Sequence, residues 1–235
     1  MAGAGPSPAV HKVFCSSRSK IVVLFRMGRL KAFDEDKVID SAVDCFWSRG
    51  YETTSVRDLA ERMGIGGASL YNAYGDKRTL FTKALERYAN RSMRERIARL
   101  EAAHRPKQAI RAFLTEIVER SLADPDRKGC LLVNSALDVA PHDAAIGKVV
   151  AAYLDEIRAF FRRNVEAARA AGQAPRKIDP EGVADHLLGV VLGIRVLART
   201  GARRGLLEGV ARPALELLDL PVRSRGTRRP ARRRT

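Results

Sequence analysis

Apolar residues recur along this chain at spacings of three and four, and no useful run of strict apolar–polar alternation interrupts them. A period near 3.6 buries one stripe of a helix, whereas a half-buried strand alternates every second residue. The pattern predicts an all-α protein of about nine helices, punctuated by Pro and Gly. The first runs from about Asp34 to Arg49. Asp34, Glu35 and Asp36 suit its positive N-terminal end, and Gly50 stops it. Thr53, Thr54 and Ser55 cap a second helix that ends at Met63. Gly64-Ile65-Gly66 then turns the chain into a short third helix, Gly67 to Tyr74. Gly75-Asp76 breaks that helix and caps a long fourth, Lys77 to about Ala102. Beyond Arg105-Pro106, helices are expected at about 107–123, 130–138, 143–171, 180–200 and 205–218.

Residues 56–74 have the physical content of a helix-turn-helix. Leu59, Met63, Ile65 and Leu70 supply apolar contacts between two short helices, and Ala60 is small where they approach. Gly64 suits the positive φ of the tight turn. In such a unit the second helix enters the major groove and presents its first residues to base edges. Here that helix offers Gly67, Ala68, Ser69, Tyr71, Asn72 and Tyr74, none of them a cation. Hydroxyls and backbone N–H groups bind phosphate, Asn pairs with adenine, and Ala or a ring meets a thymine methyl. Arg57 is the basic side chain placed to reach a guanine, and Lys77 opens the next helix toward phosphate.

The segment Thr53 to Phe81 resembles the DNA-binding domain of the tetracycline-repressor (TetR) family. The likeness lies in Thr-Thr-Ser-Val-Arg-Asp-Leu-Ala, then Gly-Ile-Gly-Gly-Ala-Ser-Leu-Tyr-Asn-Ala-Tyr-Gly-Asp-Lys-Arg-Thr-Leu-Phe. It extends from about Ala32 to Ser92. The resemblance implies an all-α homodimer that binds a double-stranded operator through an N-terminal three-helix reader and senses a small-molecule effector in a larger second domain. It also implies that Thr54 or Ser55 touches phosphate, that Ala68, Ser69 and Asn72 face bases, and that Tyr71, Tyr74 and Lys77 hold the backbone. Tyr74 departs from the His or Phe that many relatives carry there. The expected organisation is an irregular basic arm over 1–31, a helix-turn-helix domain over 32–92, an effector-binding and dimerisation domain over 93–220, and a disordered Arg-rich tail over 221–235.

The second domain carries no motif of comparable specificity. Val183, Leu187, Val190, Val191, Ile194 and Leu197 form one apolar stripe, with Gly189 and Gly193 permitting close helix approach, and Leu206, Leu207, Val210, Ala214, Leu217 and Leu218 form another. Two such helices from each subunit would build a four-helix dimer interface, the competing reading being that both stripes pack inside one subunit. Phe113, Ile117, Leu137, Tyr153, Ile157 and Phe160 are candidates for an effector cavity, with Asn134 or His186 as its polar handle. The competing reading makes each of these plain core. Cys130, close to Arg127 and Lys128, raises a redox-sensing alternative, but no resolving thiol accompanies it.

Charge changes this picture less than its size suggests. The 235 residues carry a formal net charge of +16. Residues 1–27 hold four cations and no acid, and residues 221–235 hold seven Arg and no acid, so the helical body is only slightly basic. Such tails add sequence-independent phosphate affinity. Met27 is an alternative start that would leave residues 1–26 outside the native protein. Cys15, Cys45 and Cys130 lie too far apart for a metal or disulfide framework. His11, His104, His142 and His186 are scattered, and no nucleophile–base order or phosphate loop accompanies them. A DNA-binding regulator is expected rather than an enzyme, with no cofactor, no metal site and no membrane partner. The five-residue apolar run Ile21–Phe25 is too short for a signal, so the expected compartment is the cytoplasm.

Overall fold

The structure, a computed structural model, describes residues 35–219; the expected basic arm and Arg-rich tail lie outside them. The described residues contain helices and no strand. In chain order these are α1 (Glu35–Arg49), α2 (Val56–Met63), α3 (Gly67–Tyr74), α4 (Lys77–Ala89), a π-helical turn (Asn90–Arg94) and α5 (Glu95–Ala103). They are followed by α6 (Pro106–Leu122), α7 (Leu131–Asp138), α8 (Ala144–Ala170), α9 (Pro180–Arg199) and α10 (Arg204–Glu216). The backbone stays in the right-handed helical region from Ala89 through Glu95, so α4, the π turn and α5 form one continuous rod. Counted that way, the described residues hold the nine helices that the periodicity predicts.

Helix starts follow local chemistry. Pro106 and Pro180 open α6 and α9 with φ already set and no N–H to waste. Asp143 and Asp179 cap α8 and α9, each accepting two backbone N–H groups. The first three helices and α4 enclose a small core, in which Phe46 meets Phe81 edge-on at 4.9 Å. The larger core lies between α6, α8 and α9, where Phe113, Phe160 and Phe161 stand 5.1–5.4 Å apart.

Polar latches join the two halves. Arg78, at the start of α4, grips Asp143 through two hydrogen bonds of 2.5 and 2.8 Å. Arg94 in the π turn makes a second fork onto Glu156 of α8 at 2.8 and 2.6 Å, and also binds Glu86. Tyr153 of α8 donates to the same Glu86.

Most of the two C-terminal apolar stripes turns inward, as the competing reading has it. Leu187, Val190, Val191 and Ile194 of α9 are buried within this one chain, as is Ala214 of α10. A side chain already covered by its own subunit has little area left to offer a second. Of the expected dimerisation residues, Leu206 and Leu217 remain exposed and Val210 half-exposed.

Candidate nucleic-acid interface and effector cavity

The helix-turn-helix is rigid because its ends are satisfied locally. Ser55 caps α2 by accepting from the Asp58 N–H at 3.1 Å, while Asp58 accepts from the Ser55 N–H at 2.9 Å, forming a reciprocal capping box. Asp58 also binds Arg49 of α1, which ties α2 to its neighbour. The two Ser55 hydrogen bonds, assisted by Arg49, hold the Asp58 carboxyl down to about 2. Gly64 ends α2 at φ 66°, a left-handed conformation that costs a side-chain-bearing residue about 1–2 kcal/mol. Leu59, Met63, Ile65 and Leu70 are buried beneath the turn, as their spacing predicts.

Above that support, α3 exposes one face. Gly67, Ala68, Tyr71 and Asn72 are exposed and Ser69 is half-exposed; Tyr71, at 52%, projects its ring into solvent. Gly66 caps the helix without a side chain, so the N-terminal end of α3 has no side-chain acceptor over its free N–H groups. Arg57 on α2 is exposed as well. Lys77 is half-buried, its ammonium 4.3 Å from the Tyr51 ring centroid.

Two of the expected DNA contacts belong to the core. Thr54 is fully buried and donates its hydroxyl to the Gly50 carbonyl at 2.6 Å, so of the Thr54/Ser55 pair only Ser55 lies at the surface. Tyr74 is 7% exposed, and burial, with Glu35 adding to it, raises its hydroxyl's pKa. It sits four residues after fully buried Leu70, one turn along the same inward stripe.

Behind the rod of α4 and α5 lies an apolar cavity of about 30 Å³, bounded by α5, α6, α7, α8 and α9. Phe113, Ile117 and Ile157 line it, as expected. The other candidates go elsewhere. Tyr153 is taken by Glu86, and Phe160 packs with Phe113 and Phe161. Asn134 donates to the Lys128 carbonyl at 2.9 Å, while Leu137 and His186 face solvent. Tyr153 and Phe160 follow the competing reading of plain core, since a stripe shows that residues are apolar and not which neighbour covers them. The cavity's own polar groups, Tyr88, Ser92, Cys130, Arg96 and Arg195, fall largely outside the expected set. A signal existed for two of them: Arg96 lies between Met93 and Leu100, and Arg195 between Val191 and Ala198, each inside a buried stripe. Among the described residues no cluster of acids, His and Cys has the form of a metal site. No described helix is long and apolar enough to cross a membrane.

Comparison with known proteins agrees with this architecture. Residues 38–84 match the family of bacterial regulatory proteins of the tetR type, and residues 106–212 match the tetracyclin repressor-like C-terminal domain. The HTH-type transcriptional regulator YezE of Bacillus subtilis is 33% identical over 195 residues, covering 82% of this chain and all of that protein. The HTH-type transcriptional repressor ComR of Escherichia coli is 27% identical over 191 residues, covering 81% of this chain and 91% of ComR. Among solved structures, a cysteine mutant of the TetR-family regulator CifR, complexed with 26-bp double-strand operator DNA, superposes with a TM-score of 0.72. It shares 34% identity, over 80% of this chain and 98% of that one. The chain belongs to the TetR family of transcriptional regulators. Its class is that of DNA-binding regulators, not enzymes.

Proposed function

We propose that this protein is a homodimeric repressor that occupies a pseudo-palindromic operator in the cytoplasm and is released from it by a small-molecule effector. The observation that carries the reading is the face of α3. It presents Gly67, Ala68, Tyr71 and Asn72 to solvent on a capped helix-turn-helix whose other side is fully packed. Small residues let the helix sit deep in a major groove, the exposed helix end supplies N–H groups to phosphate, and Asn72 and Arg57 offer base-edge hydrogen bonds.

A second copy fits the outer faces of α9 and α10. Gly182, His186, Gly189 and Val196 lie along the exposed side of α9, and Leu206, Pro213 and Leu217 along that of α10. A Cβ at Gly189, Gly193 or Gly209 would meet nothing in this chain, so no internal contact requires glycine there. Close approach by another helix accounts for all three. Pairing along this surface sets two α3 helices on one face of the duplex, about one turn or ~34–36 Å apart.

The effector acts on that spacing through the rod. Met93 and Ser92 of the π turn line the cavity, and the same rod begins at Lys77 beside α3. A hundredfold loss of operator affinity needs about 2.7 kcal/mol of coupling between the two sites. The test is recovery of genomic fragments by the purified protein at ~150 mM salt, where non-specific contacts are weakened. Enrichment of one or a few pseudo-palindromes supports the reading. Uniform recovery from both the wild type and Tyr71→Ala overturns it and leaves the basic tails as the DNA-binding element.

A further inference from the structure

The cavity behind the rod contains more positive charge than its surroundings answer. Arg96, on α5, is 5% exposed. Its Nε and Nη2 have no hydrogen-bond partner, and these two atoms form one edge of the guanidinium, the edge that takes a carboxylate with two parallel bonds. Glu116 lies 3.4 Å from that Nε, but both of its oxygens accept from Arg99, at 2.9 and 2.7 Å. Arg195, on α9, is 7% exposed; it donates to the Ser121 hydroxyl at 3.1 Å. Among the described residues no carboxylate lies within ion-pair distance of it. Burial, reinforced by the positive charges of Arg120 and Arg195, pushes the Arg96 guanidinium down to about 10, which leaves it cationic at neutral pH. Buried cations are ordinarily paired, because removing one partner of a buried ion pair is strongly destabilising. Apart from Tyr88, Ser92 and Cys130, the rest of the lining, including Met93, Phe113, Ile157 and Val191, is apolar, and Ser92, Leu154 and Leu192 are half-buried.

We propose that this cavity takes a small organic carboxylate with an apolar body, whose carboxylate seats on the edge of Arg96 that makes no hydrogen bond, beside Glu116, with Arg195 as the second cation. The head group supplies the missing acceptor, and the hydrocarbon packs against the apolar part of the walls. A space of about 30 Å³ holds little more than a water, so entry requires the lining to spread. Met93 lies in the π turn, and spreading there bears directly on the rod that leads to α3. This names the chemical class of the effector and rests on the repressor reading only for the consequence at DNA.

Trp47, the chain's single tryptophan, stands edge-on to Tyr88 at 5.1 Å, and Tyr88 lines the cavity. Its fluorescence therefore reports occupancy. The probes are straight-chain carboxylates from butyrate to decanoate, with phenylacetate, each paired with its primary amide and titrated into the full-length protein. At least one carboxylate is expected to shift the Trp47 emission, raise Tm, and bind at least about tenfold more tightly than its amide, as a charge-assisted fork requires. Arg96→Met is expected to abolish that preference and to raise the Tm of the unliganded protein. Arg96→Lys, which keeps the charge but loses the fork, is expected to retain part of the preference. No response to any carboxylate overturns the proposal, as does equal binding of acid and amide. A destabilised Arg96→Met that still prefers the acid overturns it too, since Arg96 then serves only as a structural partner of Glu116. Operator release is read separately by DNA mobility. Preference for the acid without release supports the site and overturns effector control.

Discussion

Thr54 and Tyr71 both present a hydroxyl near the helix-turn-helix, yet one is sealed inside and the other is half in water. Thr54 is 0% exposed and its hydroxyl satisfies the Gly50 carbonyl. Thr54→Val keeps the shape and removes that donor, so a loss of about 1 kcal/mol in urea unfolding is expected, with operator preference unchanged. Tyr71 is 52% exposed. Tyr71→Ala is expected to leave stability within about 0.5 kcal/mol while weakening operator binding at every sequence tested. Arg57→Ala is expected to cost about 1–3 kcal/mol at a single base position, read by a panel of operators mutated one pair at a time. The exposed face of α3 was legible because Leu70 fixes the helical phase and everything opposite it is outward. Thr54 and Ser55 were not separable, since adjacent hydroxyls at a helix cap lie before the helical period begins. Tyr74 was separable: its four-residue spacing from Leu70 marks it as inward, against what the family likeness implied.

Helix ends contribute to the acid sensitivity of the DNA-binding half, as do Asp40 and Glu86 within α1 and α4. The capping box holds Asp58 at about 2, below the ~3.9 of an unfolded Asp. A depressed carboxylate contributes stability that is fully present above the unfolded value and is lost as pH falls toward the folded one. The loss therefore falls between about pH 4 and 2 for Asp58. Asp143 behaves in the same direction, held down first by Arg78 and then by the N–H groups of α8. Thermal melts across this range are expected to show a steep acid limb that Asp58→Asn flattens; an unchanged slope would remove the capping box from the account. Helix starts of this kind were readable, because Asp143, Asp179, Pro106 and Pro180 act through local chemistry. The π turn at Asn90–Arg94 was not. No Pro or Gly marks it; Met93 is drawn into the core there, and Arg94 bonds to Glu156 some sixty residues away in sequence. Tertiary packing supplies that distortion, and a local pattern carries no record of it.

At the scale of the molecule, most of the apolar stripes of α9 and α10 pack within the chain itself. Leu187, Val191 and Ile194 are consumed by the chain's own core, while the outward line includes His186, Gly189 and Val196. A hydrophobic pattern cannot separate an internal neighbour from a second subunit, whereas exposed helical glycines with empty space above them point to the latter. Substitution at Gly189 separates the two explanations. Gly in a helix interior is less favourable than other residues by about 0.5–1 kcal/mol, so Gly189→Glu is neutral or stabilising for an isolated chain. In a close helix pair it instead sets a charged side chain against its symmetry mate. Sedimentation is expected to show wild-type dimers and Gly189→Glu monomers at the same micromolar concentration, with thermal melts of the monomeric fold unimpaired. Loss of bivalency removes the effective concentration that one half-site gains from the other, so affinity for a two-half-site operator is expected to fall by about 10²-fold or more. Affinity for a single half-site stays as it was, because α3 is untouched. A variant that remains dimeric with full operator affinity places the subunit contact on another face, and the glycines of α9 then have no intermolecular role.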